Sequence, residues 1–201
     1  YTALATFRSQ FAPGYDNPFA HDSIRNVISN FMAPAYSIVA LGMDYKPSEN
    51  FTVFISPATI KMTMVNDQTL ANAGAFGVEG ATYDDLGTLL TAGKNFRSEL
   101  GSYFKMMYKT EIPGNVSLQT KLDLFSNYQD NPQNIDVNWE TLITMKINEY
   151  LSTTITTQVL YDDDIDIARD PEDVAANGIV SGPATQFKEV LAIGFSYKFK
   201  N

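Results

Sequence analysis

The stretch Leu191-Ala192-Ile193-Gly194-Phe195-Ser196-Tyr197-Lys198-Phe199 alternates apolar residues with small or polar ones, one for one. Period two is the signature of a strand with one greasy face and one wet face. The greasy row turns aromatic toward Phe199. A membrane-spanning barrel strand ends in this way, its outward apolar band finished by an aromatic girdle at the interface. An amphipathic strand of a soluble sheet alternates too, so the rest of the chain has to decide.

Period two recurs along all 201 residues. It predicts eight strands, at about 1–11, 34–46, 51–65, 94–109, 115–128, 135–148, 151–162 and 185–199. In the second, Val39, Leu41, Met43 and Tyr45 oppose Ala40, Gly42, Asp44 and Lys46. In the sixth, Val137, Trp139, Ile143 and Met145 oppose Asn138, Glu140, Thr144 and Lys146. The third changes phase between Phe51-Val53-Ile55 and Ile60-Met62-Met64, and Pro57 between them predicts a bulge.

The connections alternate short and long. Turns near 47–50, 111–115 and 148–149 are short, whereas the links at about 12–33, 66–93, 126–134 and 163–184 are long. Outer-membrane barrels sort their connections in this manner, with short periplasmic turns and long external loops. A soluble sandwich has no reason to do so. The fold class expected is therefore all-β, an antiparallel up-and-down transmembrane β-barrel forming a single domain over 1–201. Strand charges fall almost entirely on the wet rows. Glu189, which shares parity with Leu191, is the exception.

Composition agrees with an envelope location. There is no cysteine and so no disulfide framework, and the net charge of -9 argues against nucleic acid as a partner. No run approaches the roughly 20 apolar residues of a membrane helix. A membrane role then requires closed β-structure, because an unpaired backbone amide in hydrocarbon costs several kcal/mol. Tyr1 opens the chain inside a predicted strand, with neither a signal peptide nor an initiating Met, so the N-terminus is expected to have been processed or upstream sequence to be missing.

Several blocks carry a resemblance. They include Gln10-Phe11-Ala12-Pro13-Gly14-Tyr15, Ala40-Leu41-Gly42-Met43-Asp44-Tyr45-Lys46-Pro47, Val65-Asn66-Asp67-Gln68-Thr69-Leu70 and Lys121-Leu122-Asp123-Leu124-Phe125-Ser126-Asn127-Tyr128. Asn131 to Glu140, Tyr161 to Ile165 and Gln186 to Phe199 add to them. Together the chain resembles an uncharacterised outer-membrane β-barrel family of Bacteroidota-type bacteria. The resemblance implies an outer-membrane location and carries no catalytic or binding residues. It also implies further N-terminal strands, so that this chain would form the C-terminal part of a barrel of about twelve. Without them, eight strands can close alone around a side-chain-filled interior.

No constellation demands chemistry, and an enzymatic function is not expected. The one imidazole, His21, lies beside Asp22 and Ser23 in a long loop where no strand positions it. The acidic run Asp162, Asp163, Asp164 and Asp166, followed by Asp170, Glu172 and Asp173, is a weak calcium candidate. It lacks the EF-hand glycine and terminal glutamate, and a solvated loop surface is the expectation. The inward rows place Arg8, Asp44, Arg97, Glu99, Lys105, Lys121, Asp123, Glu140, Lys146, Lys188 and Lys198 in the lumen. They would form either a paired plug or the lining of a narrow pore. No cofactor is expected. The partners expected are outer-membrane lipid and other outer-membrane proteins. The reading of different class is a soluble or periplasmic lipid-binding barrel with the greasy rows inward, and an outer-membrane lipid hydrolase ranks below it. The 66–93 link, with Ala71, Ala73, Ala75, Phe76 and Val78, is apolar enough to fold over the mouth, contact a partner or pack on the rim.

Overall fold

The structure, a computed structural model, describes residues 1–16, 25–168 and 181–197. His21, Asp22 and Ser23 lie outside the described residues, as do Asp170, Glu172, Asp173, Lys198 and Phe199. Eight long strands form one antiparallel sheet in which each strand pairs with its sequence neighbours. They are β1 (Thr2–Ser9), β2 (Ala35–Ser48), β3 (Phe51–Met64), β4 (Phe96–Ile112), β5 (Val116–Asn127), β6 (Ile135–Lys146), β7 (Leu151–Tyr161) and β8 (Gln186–Phe195). All eight lie where the alternation predicts them. The links β2–β3, β4–β5 and β6–β7 are short and the others longer. Among the longer ones, three hold small two-stranded ribbons, Gly14–Tyr15 with Val27–Ser29, Thr82–Tyr83 with Leu89–Thr91, and Asp166–Ala168 with Ser181–Pro183.

The bulge forms at Pro57. Ser56 pairs with Tyr103 and Thr59 with Gly101, so β3 spends one extra residue against β4. The same extra residue appears against β2, where Ala58 pairs with Leu41 and Ile55 with Met43. Proline has no amide to give the ladder, so the position that breaks the phase is also the one that needs no partner. Ser56 and Thr59 therefore both point inward, are fully buried, and hydrogen-bond to each other at 2.8 Å.

The sheet curls into a trough. Adjacent strands lie about 4.8 Å apart, so β3 and β6 are separated by about 14 Å along the sheet. Yet Lys61 on β3 reaches Asp136 on β6 at 2.6 Å across the concave side. The apolar rows face outward: Leu191 is 66% exposed, Ile193 72% and Trp139 50%. Aromatic rings gather on this convex face at the short-turn end. Tyr150 stacks on Phe195 and Tyr197, and Phe51 meets Tyr108 edge-on.

The expected closure does not occur within the described residues. β1 pairs with β2 alone and β8 with β7 alone, leaving two free edges. The trough holds large side chains, among them Phe54, Tyr103, Phe125, Lys61 and Arg97. No helix among the described residues is long and apolar enough to cross a membrane.

Candidate functional site: the polar interior of the trough

The predicted inward rows do share the concave face. Cross-strand neighbours point to one side of a sheet. The register sets Phe54 beside Lys105, Lys105 beside Asp123 and Asp123 beside Asn138. One step along the strands it sets Lys121 beside Glu140, Glu140 beside Gln158 and Gln158 beside Lys188. Asp44, opposite Phe54, lies on the same face, as does Arg8. Lys146 shares the face through its pairing with Ser152 near the short-turn end.

The structure brings only some of these residues together. Arg97 Nη2 lies 3.0 Å from Glu99 Oε1 and also binds the Asp164 carboxylate. Lys121 Nζ sits 3.2 Å from Glu140 Oε1, and Lys105 reaches Asp123 at 4.0 Å. Arg8, Asp44, Lys146 and Lys188 form no ion pair among the described residues.

The centre of the network is Lys61, which the inward set above omits although Ile60 and Met62 on either side fix its row. Its ammonium contacts Asp136 at 2.6 Å, Asp162 at 3.2 Å and Glu99 at 3.7 Å. It also lies 5.2 Å from the centre of the Phe125 ring. Glu99 is 3% exposed and accepts a further bond from Asn127 Nδ2 at 3.3 Å. Two cations thus answer four carboxylates within one connected cluster. Such a cluster rigidifies a polar interior when its members satisfy one another.

This corrects the expectation for the acidic run. Asp162 and Asp164 are not a solvated loop surface, because both carboxylates turn into the trough onto Lys61 and Arg97. Asp163 accepts from Asn134 Nδ2 and from Tyr161 Oη. A lysine and an arginine of the sheet pair with two of the run's carboxylates, which sequence-local reading could not foresee. The side chain of Asp166 lies outside the described residues. Among the described residues no group of three carboxylate or imidazole ligands converges as a metal site.

Beside this network lies an apolar waist of Ala40, Phe54, Tyr103 and Phe125, with Leu4 and Ile38 packed on it. A cavity of about 170 Å³ opens on one side, lined by Thr2, Asp44 and Lys105 among others. A larger one, of about 380 Å³, opens on the other and is bounded by Arg8, Tyr36, Lys61 and Asp136. The waist separates them with aromatic rings in contact, Phe54 and Tyr103 having centroids 6.3 Å apart.

The 66–93 link sits over the network. Asp67 caps the short helix α1 (Gln68–Asn72) by accepting from the Thr69 and Leu70 amides. Leu70, Ala71 and Val78 then bury against Ala33 and Val65, with Ala75 and Phe76 alongside. Gly77 follows, and its carbonyl accepts from Arg97 Nη1 at 2.9 Å. A Cβ at Gly77 would come within 3.1 Å of the Asp164 carbonyl oxygen. The link thus touches both members of the Arg97–Asp164 pair, while burial against Ala33 and Val65 accounts for its apolar composition.

Comparison with known protein families, with curated proteins and with solved structures finds no match.

Proposed function

We propose that this protein is an outer-membrane β-barrel protein of the bacterial cell envelope, non-enzymatic, with a structural role and a lumen closed at rest. The observation that carries the reading is the sidedness of the sheet. Leu41, Leu100, Trp139, Leu191 and Ile193 stand exposed on the convex face, while Lys61, Glu99 and Asp136 occupy the concave one. Water does not tolerate a contiguous apolar surface of this extent, whereas lipid does. A soluble lipid-binding barrel would need the opposite sidedness.

Outer-membrane lipid is the partner this surface fits. The free edges of β1 and β8 cannot remain unpaired in hydrocarbon. Further strands must complete the wall, in keeping with the resemblance to barrels of about twelve strands. The ion-pair network, the waist and the 66–93 link together favour a plugged lumen over an open narrow pore.

Trp139 supplies the test, because it is the sole tryptophan and lies on the convex face. In vesicles with brominated acyl chains its fluorescence should be strongly quenched relative to unbrominated vesicles. Equal emission from folded protein in the two lipids would overturn the membrane reading.

A further inference from the structure

The larger cavity holds an asymmetry in its hydrogen-bonding groups. Its carboxylates already have takers: Asp136 and Asp162 bind Lys61, and Asp123 accepts from the Tyr103 hydroxyl. Its donors do not. Arg8 and Tyr36 stand opposite each other in the β1–β2 register and both line the cavity. Among the described residues, neither the Arg8 guanidinium nor the Tyr36 hydroxyl makes a hydrogen bond or an ion pair. Asn138 accepts from Gln158 Nε2 at 2.8 Å through its Oδ1, which leaves its own amide N–H groups unused. Ile38 and Phe125 supply apolar wall.

We propose that this cavity binds a small organic carboxylate, with Arg8 as its anchor. A guanidinium presents five N–H donors in a planar fork that matches a carboxylate in two parallel bonds. Tyr36 and the Asn138 amide offer additional donors, and the ligand body packs on Ile38 and Phe125. A volume of about 380 Å³ suits a single-ring or short-chain acid. Lys61 is a poor competitor for this anion, since three carboxylates already surround it. The inference needs only the folded trough, so it stands whether or not the membrane reading does.

The test uses benzoate as probe and benzamide as its uncharged analogue, titrated by calorimetry into the full chain purified in a folded state. Benzoate should bind in the millimolar range or tighter, and benzamide at least about tenfold more weakly. Arg8→Gln should abolish the preference for benzoate, whereas Lys188→Gln, on the same face but outside the cavity lining, should leave it intact. Should Arg8→Gln fail to fold, Arg8→Lys tests the same point, because loss of the fork should weaken benzoate several-fold. The proposal is overturned by equal binding of the two probes, by no benzoate binding at about 50 mM, or by benzoate affinity that either Arg8 variant leaves unchanged.

Discussion

Lys61 Nζ lies 2.6 Å from Asp136 Oδ2, although the two residues occupy strands three apart in the sheet. The contact spans the concave side and ties the curl of the sheet to one ammonium group. Removing that ammonium leaves Asp136, Asp162 and Glu99 facing one another with Arg97 as the remaining cation of the cluster. Breaking a buried pair by deleting one partner costs more than the pair itself contributes, because the orphaned charge stays behind. Lys61→Met is expected to lower stability by about 3 kcal/mol. The double variant Lys61→Met/Asp136→Asn should recover part of that loss. Denaturant midpoints of the four proteins in the cycle measure it, and strict additivity would contradict the coupling.

Gly77 adopts φ +77°, and a Cβ there would lie 2.8 Å from Arg97 Nη1 and 3.1 Å from the Asp164 carbonyl oxygen. Gly87 has nearly the same φ, +79°, with nothing within 4 Å. The two positions separate backbone strain from crowding. Gly87→Ala should cost about 1 kcal/mol, the ordinary penalty for an L-residue in the left-handed region. Gly77→Ala should cost more and lift the 66–93 link from its seat. Limited proteolysis reads the difference as faster cleavage within residues 66–93 for Gly77→Ala alone. Equal cleavage of the two variants would show that the link does not rest on the Arg97–Asp164 pair.

The strands were readable because alternation is a local property, visible in Val39 to Tyr45 without knowing any partner. Pro57 was readable for the same reason, since the phase shift it marks lies between Ile55 and Ile60. The centre of the network was not. Asp136 lies at the first residues of β6 and Asp162 just beyond the last of β7, and their convergence on Lys61 depends on sheet curvature, which no local pattern encodes. Phe54, Tyr103 and Phe125 escaped notice because they place large aromatic groups in the row that alternation assigns to polar residues. A chain-wide search for apolar residues on the wet rows would have found the waist.

Asp67 predicts an acid sensitivity confined to the long-loop end. A hydrogen bond from Asn30 Nδ2 at 3.0 Å, followed by the Leu70 amide, holds its carboxyl below the usual carboxylate range. A carboxyl with a depressed folded-state pKa contributes stability above its unfolded pKa of about 3.9. That contribution falls away as pH drops below about 4 toward the depressed value. Hydrogen exchange at the Thr69 and Leu70 amides should therefore accelerate on acidification beyond the intrinsic trend. Asp67→Asn keeps a capping oxygen but loses the charge, so it should flatten this response, while Asp67→Ala should cost about 1 kcal/mol at neutral pH. An identical acid response in Asp67→Asn would assign the effect to another group.

The waist predicts the electrical behaviour of the protein. Phe54 and Tyr103 bring their rings together between the two cavities, and the 66–93 link rests on Arg97 beyond the larger one. A hydrophobic constriction blocks ions by dewetting, even where the polar cavities on either side are hydrated. The wild-type protein, folded and inserted in a planar bilayer, should show no discrete conductance steps. Phe54→Ala removes the ring while leaving the ion pairs of Lys61 and Arg97 in place, and Gly77→Ala loosens the link above. Neither change alone clears both obstructions, so each single variant should stay silent, and the double variant should conduct only where the ion-pair network, the third obstruction, leaves room for ions beside it. Reproducible steps from the wild-type protein would instead make the polar rows the lining of an open narrow pore, with solute diffusion as its function. Silence from the double variant would move the seal to the charged network itself, where Lys61 and its three carboxylates already span the bore.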